Sequence, residues 1–175
     1  MMPQTRPWKK NNCQMHKIFI ALFFIPSFLF GISMYDLDIP FEYISIIKNE
    51  CKKYKIPETI YIRHLYQESK FDRNAINYNY RKGKIDSVDK GIAQLNMKWK
   101  SDFIWFDNNN KNFNPYDPFI SIKISCHYLY RLYKATGMWE LAFTAYNCGL
   151  SNVRSDMIPE KTKKHINYIF GKLVW

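Results

Sequence analysis

Apolar residues in this chain recur at helical spacing in several stretches, which polar, turn-rich segments separate. The pattern predicts a first helix from about Phe41 to Lys53. A second opens at Pro57-Glu58, with proline at its first position and an acid in its first turn, and ends near Ser69. The polar, glycine-containing stretch "NAINYNYRKGKIDSVDKG" reads as a loop able to hold a small hairpin at 78–90. A short helix follows around Met97 to Phe106, and then "DNNNKNFNPYDP", a run of turn residues. A long helix is expected over Pro118 to Lys134 and a shorter one over Met138 to Asn147, closed by Gly149. The last runs from near Pro159 to about Gly171. The expected fold is therefore mainly α, with no convincing multi-strand sheet and no internal repeat.

One segment breaks this pattern. In "MHKIFIALFFIPSFLFGIS", basic residues precede an apolar run from Ile18 to Ile32 that ends in small residues. Such a run, interrupted by Pro26 and Ser27, is short against the roughly 20 residues of a membrane span, and it reads as a signal peptide. We expect residues 1–33 to be that signal, with Met15 as a second candidate start, and residues 34–175 to be one domain exported to the periplasm or cell envelope. A retained anchor is the other reading, and is the only membrane contact expected. The domain is long enough to build a core unaided.

Charge changes the picture modestly. Of 26 basic residues four lie in 1–33, so 34–175 carries 22 against 15 acids, a net of +7. The basic residues are scattered, which suits a solvated surface and equally an anionic partner such as a wall polymer. No nucleic-acid motif is present, and none is expected as a partner. Cys51, Cys126 and Cys148 follow the signal segment without metal-ligand spacing. Cys126 shares a helical stripe with Ile122, Leu129 and Tyr133, so a buried thiol is expected there.

The candidate chemistry begins in "YQESKF" (66–71). On a helical wheel Glu68 lies within about 60° of Tyr61 and Leu65, with His64 one turn before it, while Arg63, Gln67 and Lys70 point away. A carboxyl so placed is either paired with a buried cation or histidine, or a proton donor of raised pKa in a cleft. Three further stretches follow: "DKGIAQLN" (89–96), "NPYDP" (114–118) and "AYNCG" (145–149). Each alone is weak.

Their order and spacing resemble those of the lytic transglycosylase family, of the soluble-transglycosylase type with a lysozyme-like domain. The matching residues are Glu68-Ser69, Phe71 and Asn74-Ala75, then Gly91 to Asn96, then Asn114-Pro115 with Tyr128-Leu129, then Ala145-Tyr146-Asn147-Cys148-Gly149. The resemblance spans roughly residues 40 to 170. It implies a goose-type, lysozyme-like helical fold and peptidoglycan glycan strands as partner. The implied activity is cleavage of the β-1,4 bond between N-acetylmuramic acid and N-acetylglucosamine, leaving 1,6-anhydro ends. Glu68 would be catalytic; Ser69, Gln94, Asn96, Tyr146 and Asn147 would bind substrate. No metal or cofactor is implied. Departures are Ala93 for a usual Met, Ser125 for a frequent Gly, Cys148 for a usual Ala, and His165 where the family has a late tyrosine, with Tyr168 one turn on. The loop before Gly91 looks more like members linked to wall-crossing secretion machines, so a secretion or flagellar apparatus is a further candidate partner. A hydrolytic muramidase and an inactive wall-binding scaffold are the alternatives. Asp72, Asp86 and Asp89 are the nearest further carboxylates, expected as turn or solvated loop groups, none well placed as a nucleophile.

Overall fold

The computed structural model describes residues 37–106 and 113–172, the side chains at 105 and 106 excepted. The expected signal segment and part of the turn-rich 107–118 stretch lie outside them. Seven α-helices are described: α1 (Phe41–Tyr54), α2 (Glu58–Ser69), α3 (Lys100–Phe106), α4 (Pro118–Thr136), α5 (Trp139–Cys148), α6 (Leu150–Arg154) and α7 (Glu160–Ile169). A 3₁₀ turn, Met97–Trp99, leads into α3. Three short strands, β1 (Ile76–Arg81), β2 (Lys84–Lys90) and β3 (Leu95–Asn96), form one antiparallel sheet in that order. Among the described residues no helix is long and apolar enough to cross a membrane.

Helix α4 is the spine of the core. Asp117 caps it: its side chain accepts from the backbone N–H groups of Phe119 and Ile120, and Pro118 follows where no N–H is needed. Ile122, Ile124, Cys126 and Leu129 are all fully buried, against α1 on one side and α5 on another. Ser125 shows how a polar group is accommodated here. Its hydroxyl meets that of Tyr61 from α2 and donates to the Ile122 carbonyl at 3.0 Å, so the buried tyrosine hydroxyl is satisfied. Cys126 is buried as expected.

Helix α2 carries Tyr61, Ile62, His64 and Leu65 into the core. Pro57 precedes its first residue instead of occupying it. The helix ends abruptly: Lys70 and Phe71 both adopt left-handed backbone angles, φ 57° and 64°. Neither is glycine, so each is disfavoured, and what holds them is the packing of Phe71 in the core beside the Tyr66 ring.

The sheet is the part the sequence underspecified. The two-residue turn Lys82-Gly83 has φ 51° and 75°, the twist that joins two antiparallel strands tightly. Alternation along β1 then sends Asn77 and Asn79 to one face and Ile76, Tyr78 and Tyr80 to the other. On the polar face the Asn79 amide donates to Asp89 Oδ2 (2.7 Å) and Ser87 Oγ (3.0 Å), and Asn96 Nδ2 donates to Ser87 (2.9 Å). This network ties all three strands together. The expected absence of a multi-strand sheet is corrected accordingly; asparagine, poor in strands, hides the alternation.

Gly91 joins the sheet to the core. Its φ is 75°, and a Cβ built there would lie 1.9 Å from the Pro115 carbonyl oxygen. Only glycine permits that approach of two backbones. We therefore expect Gly91→Ala to lower unfolding free energy by about 2–4 kcal/mol. Urea unfolding checks this, and near-wild-type stability would remove the close approach from the account.

Candidate active site

Glu68 occupies the last turn of α2, at the floor of an open cleft of about 1310 Å³. The cleft is walled by the polar face of the sheet, the end of α5 with the start of α6, and α7. Solvent reaches 13 % of the Glu68 side chain. Gln67 and Lys70, placed on the far side by the helical wheel, also line the cleft: Gln67 is in the last turn of α2, and Lys70 follows its end in a left-handed conformation. Arg63 does lie apart, donating to the Ile169 carbonyl.

Burial pushes the Glu68 carboxyl from its ordinary 4.5 up to about 8; the nearby Asp89 carboxylate adds to this and Lys161 opposes it. Two imidazoles flank it. His64 Nδ1 stands 3.5 Å and His165 Nε2 3.7 Å from Glu68 Oε1. Burial holds His64 well below the usual histidine value, with His165 contributing. Burial, then Lys161 and Lys70, bring His165 down to about 4. Burial thus favours the uncharged form of all three groups near pH 7.

The other sequence-predicted site residues all line this cleft, and each is bonded to the scaffold as well. Ser69 Oγ donates to the Ile92 carbonyl at 2.7 Å, and the Tyr146 hydroxyl donates to the Ala93 carbonyl at 2.8 Å. These two bonds clamp the 91–94 turn between α2 and α5. Gln94, at φ 47°, donates from Nε2 to the carbonyls of Gly91 (2.9 Å) and Ala75 (3.3 Å). Asn96 caps the 3₁₀ turn through Lys98 N–H, and Asn147 Oδ1 accepts from Thr162 Oγ1 at 2.7 Å. That last bond joins the end of α5 to α7, which delivers His165.

Asp86 and Asp89, which the sequence treats alike, separate here. Asp86 pairs with Lys98 at the surface. Asp89 lines the cleft, with Oδ2 accepting from Asn79 and Asn77 and Oδ1 buried without a hydrogen bond. Strand alternation decides this: Asp89 pairs across from Asn77 on the polar face. Asp89, expected as a solvated loop group, thus lies in strand β2 and shares the cleft with Glu68. His165 was visible only as a departure at one position, and Asp89 only as a loop charge.

These features coincide with a family assignment. The transglycosylase SLT domain family matches residues 45–169, most of the chain. The chain belongs to this family. No curated protein gave a significant match. The mostly helical structure with its small antiparallel sheet agrees with the lysozyme-like fold of an SLT domain. Membership gives a transglycosylase-type enzyme acting on peptidoglycan.

The raised Glu68 pKa carries a stability signature in this SLT domain. The folded protein keeps a proton there that the unfolded chain releases above 4.5. The stabilisation is full below 4.5 and is lost as pH rises through about 8. His64 and His165 act oppositely: with lowered values their contribution falls as pH drops below 6.5, and both residues are present in wild type and in Glu68→Gln. Asp89 and Lys161, the charged groups facing Glu68, are present in both proteins. We expect the stability difference, variant minus wild type, to grow from pH 5 to pH 8 by up to about 1.4 kcal/mol per unit. Thermal unfolding across that range measures it; a flat difference would show that Glu68 is not held neutral.

Proposed function

We propose that this chain is an exported lytic transglycosylase that cleaves the N-acetylmuramic acid–N-acetylglucosamine bond of peptidoglycan with Glu68 as its one acid and base. The observation that carries the reading is the Glu68 carboxyl buried at the floor of a cleft, where burial pushes its pKa up to about 8. Export rests on the basic-flanked apolar run before the domain.

The step follows from that state. Glu68 donates its proton to the glycosidic oxygen as the C1–O bond breaks, and the N-acetylglucosamine hydroxyl departs. Positive charge spreads over C1 and the ring oxygen. The carboxylate of Asp89, fixed by Asn79 and Asn77, faces the same cleft and favours that charge. Glu68, now ionised, accepts the proton of the muramic acid C6 hydroxyl, whose oxygen bonds to C1. The 1,6-anhydro ring closes, Glu68 is protonated again, and no water is consumed. A hydroxyl on the reacting ring needs no separate positioning. Ser69, Gln94, Asn96, Tyr146 and Asn147 form the polar lining that meets the sugar hydroxyl and acetamido groups.

Asp89 also favours a second reading, hydrolysis. A hydrolase of this kind needs two carboxylates on one cleft, the second activating water or attacking C1. Family membership weighs toward the lyase.

Mass spectrometry of digested cell wall separates the two. We expect muropeptides one water lighter than hydrolysis gives, resistant to borohydride. Glu68→Gln should cut cleavage by about a thousandfold or more with the fold intact by circular dichroism. Asp89→Asn should slow cleavage about tenfold to a hundredfold while the products stay anhydro. Reducible ends as the main wild-type product, abolished in Asp89→Asn, would replace the lyase by the hydrolase.

A further inference from the structure

Three nitrogen and oxygen atoms converge at the cleft floor without hydrogen bonds: His64 Nδ1, Glu68 Oε1 and His165 Nε2. They come from two elements, α2 and α7, and all lie within 4.8 Å of one another. Leaving one buried polar atom unsatisfied is costly, and three pointing at one place need a physical reason. Water bridging is open to any polar group. Two imidazoles and a carboxylate on a common point are the donor set that three-ligand zinc sites use.

The spacing fits. Ligands about 2.0–2.1 Å from a tetrahedral zinc ion stand about 3.4 Å apart. Glu68 Oε1 is 3.5 Å from His64 Nδ1 and 3.7 Å from His165 Nε2. The remaining edge, His64 Nδ1 to His165 Nε2, is within 4.8 Å and would shorten by side-chain rotation of His165, the more exposed of the two imidazoles. His64 is already fixed: it is fully buried, edge-on to the rings of Phe143 (5.2 Å) and Tyr146 (4.7 Å). The i, i+4 spacing of His64 and Glu68 puts both on one face of α2. His165 and Glu68 are 12 % and 13 % exposed, so an ion enters from the cleft and the fourth position faces it. Among the charges around the point, Lys70 and Lys161 are exposed cations and Asp89 is an anion on the opposite wall.

We propose that His64, Glu68 and His165 form a binding site for one divalent transition-metal ion of the zinc class, and that the bound ion blocks the enzyme reversibly. Binding is a property of these three side chains alone. The block rests on the acid role of Glu68 proposed above: an oxygen that ligates a cation carries no proton to give. The metal is thus an inhibitor and not a cofactor. The sequence implies no metal because His165 is remote from the other two along the chain.

The test uses the full chain and Zn²⁺, with Co²⁺ as a spectroscopic probe. Calorimetry should give one Zn²⁺ per chain, and Co²⁺ should give the visible absorption of a four-coordinate nitrogen and oxygen site. His165→Gln, at the solvent-facing edge, should weaken binding about tenfold or more, and Glu68→Gln should do the same. Circular dichroism identifies a variant that fails to fold, and a His64→Asn variant then replaces it. No stoichiometric binding, or unchanged binding in His165→Gln, overturns the site. In the cleavage assay Zn²⁺ should inhibit wild type, EDTA should restore it, and His165→Gln should need about tenfold more Zn²⁺ for the same fractional loss. Binding without inhibition, or stimulation by Zn²⁺, overturns the block. Because binding is read by calorimetry and absorption, a chain inactive on cell wall would defeat the proposed function and still decide the metal site.

Discussion

A carboxyl group held in the protein interior without a partner is what the rest of this molecule is arranged to keep in place. Glu68 could lower its energy by turning outward or by meeting a lysine. It does neither, and the backbone that carries it is held on both sides. Leu65 and Tyr61 anchor the preceding turn in the core, and the Ser69–Ile92 and Tyr146–Ala93 hydrogen bonds lock the following one. The neighbours that might have charged are themselves held neutral by burial. Proton retention near neutral pH is the low-energy way left.

The backbone shows where this arrangement is strained. Lys70, Phe71 and Gln94 have left-handed φ without being glycine, as do Lys55, Lys82 and Asp156 outside the cleft lining; Lys70 and Gln94 line the cleft and Phe71 adjoins Lys70. Left-handed angles cost of order 1–3 kcal/mol each and survive only where surroundings fix them. Phe71 is fixed by core packing, and Gln94 by its two bonds to Gly91 and Ala75. Gly91 and Gly149 take the positions where a side chain is impossible or more strained still. Strain at the cleft needs a core elsewhere that is not strained, and the buried aliphatic stripe of α4 is where that stability comes from.

This division explains what the sequence disclosed. Helices α1, α2, α4, α5 and α7 were legible within a residue or two because each carries a continuous apolar stripe and an end marked by proline, aspartate or glycine. Glu68 was legible because a lone acid among Tyr61, Leu65 and Phe71 breaks that stripe. The hairpin was underspecified because its buried-side partners are asparagine and aspartate and its aromatic side is exposed, which reverses the usual strand signature. Helix α6 was missed for want of length. Asp89 and His165 could not be placed at the cleft: their nearness to Glu68 is made by strand pairing and by the Asn147–Thr162 bond across α5 and α7, contacts with no local trace.

The family motif itself has a physical reading from this. Ser69, Gln94, Tyr146 and Asn147 are polar residues at a cleft, the pattern expected of groups that touch substrate, yet each spends at least one hydrogen bond on the frame. A residue that both lines the cleft and holds the frame tolerates few replacements, because a change at the cleft surface also breaks a frame bond. Such residues share one hydrogen-bonded frame around Glu68, so the stability effects of replacing them singly are not expected to add. A short motif is therefore readable here for the same reason that its members resist separate roles: fold and chemistry constrain the same atoms. His64 and His165 touch Glu68 but make no hydrogen bond to the frame. They are free of that double constraint, and a position so placed is where a single chain can acquire a chemistry that its motif does not announce.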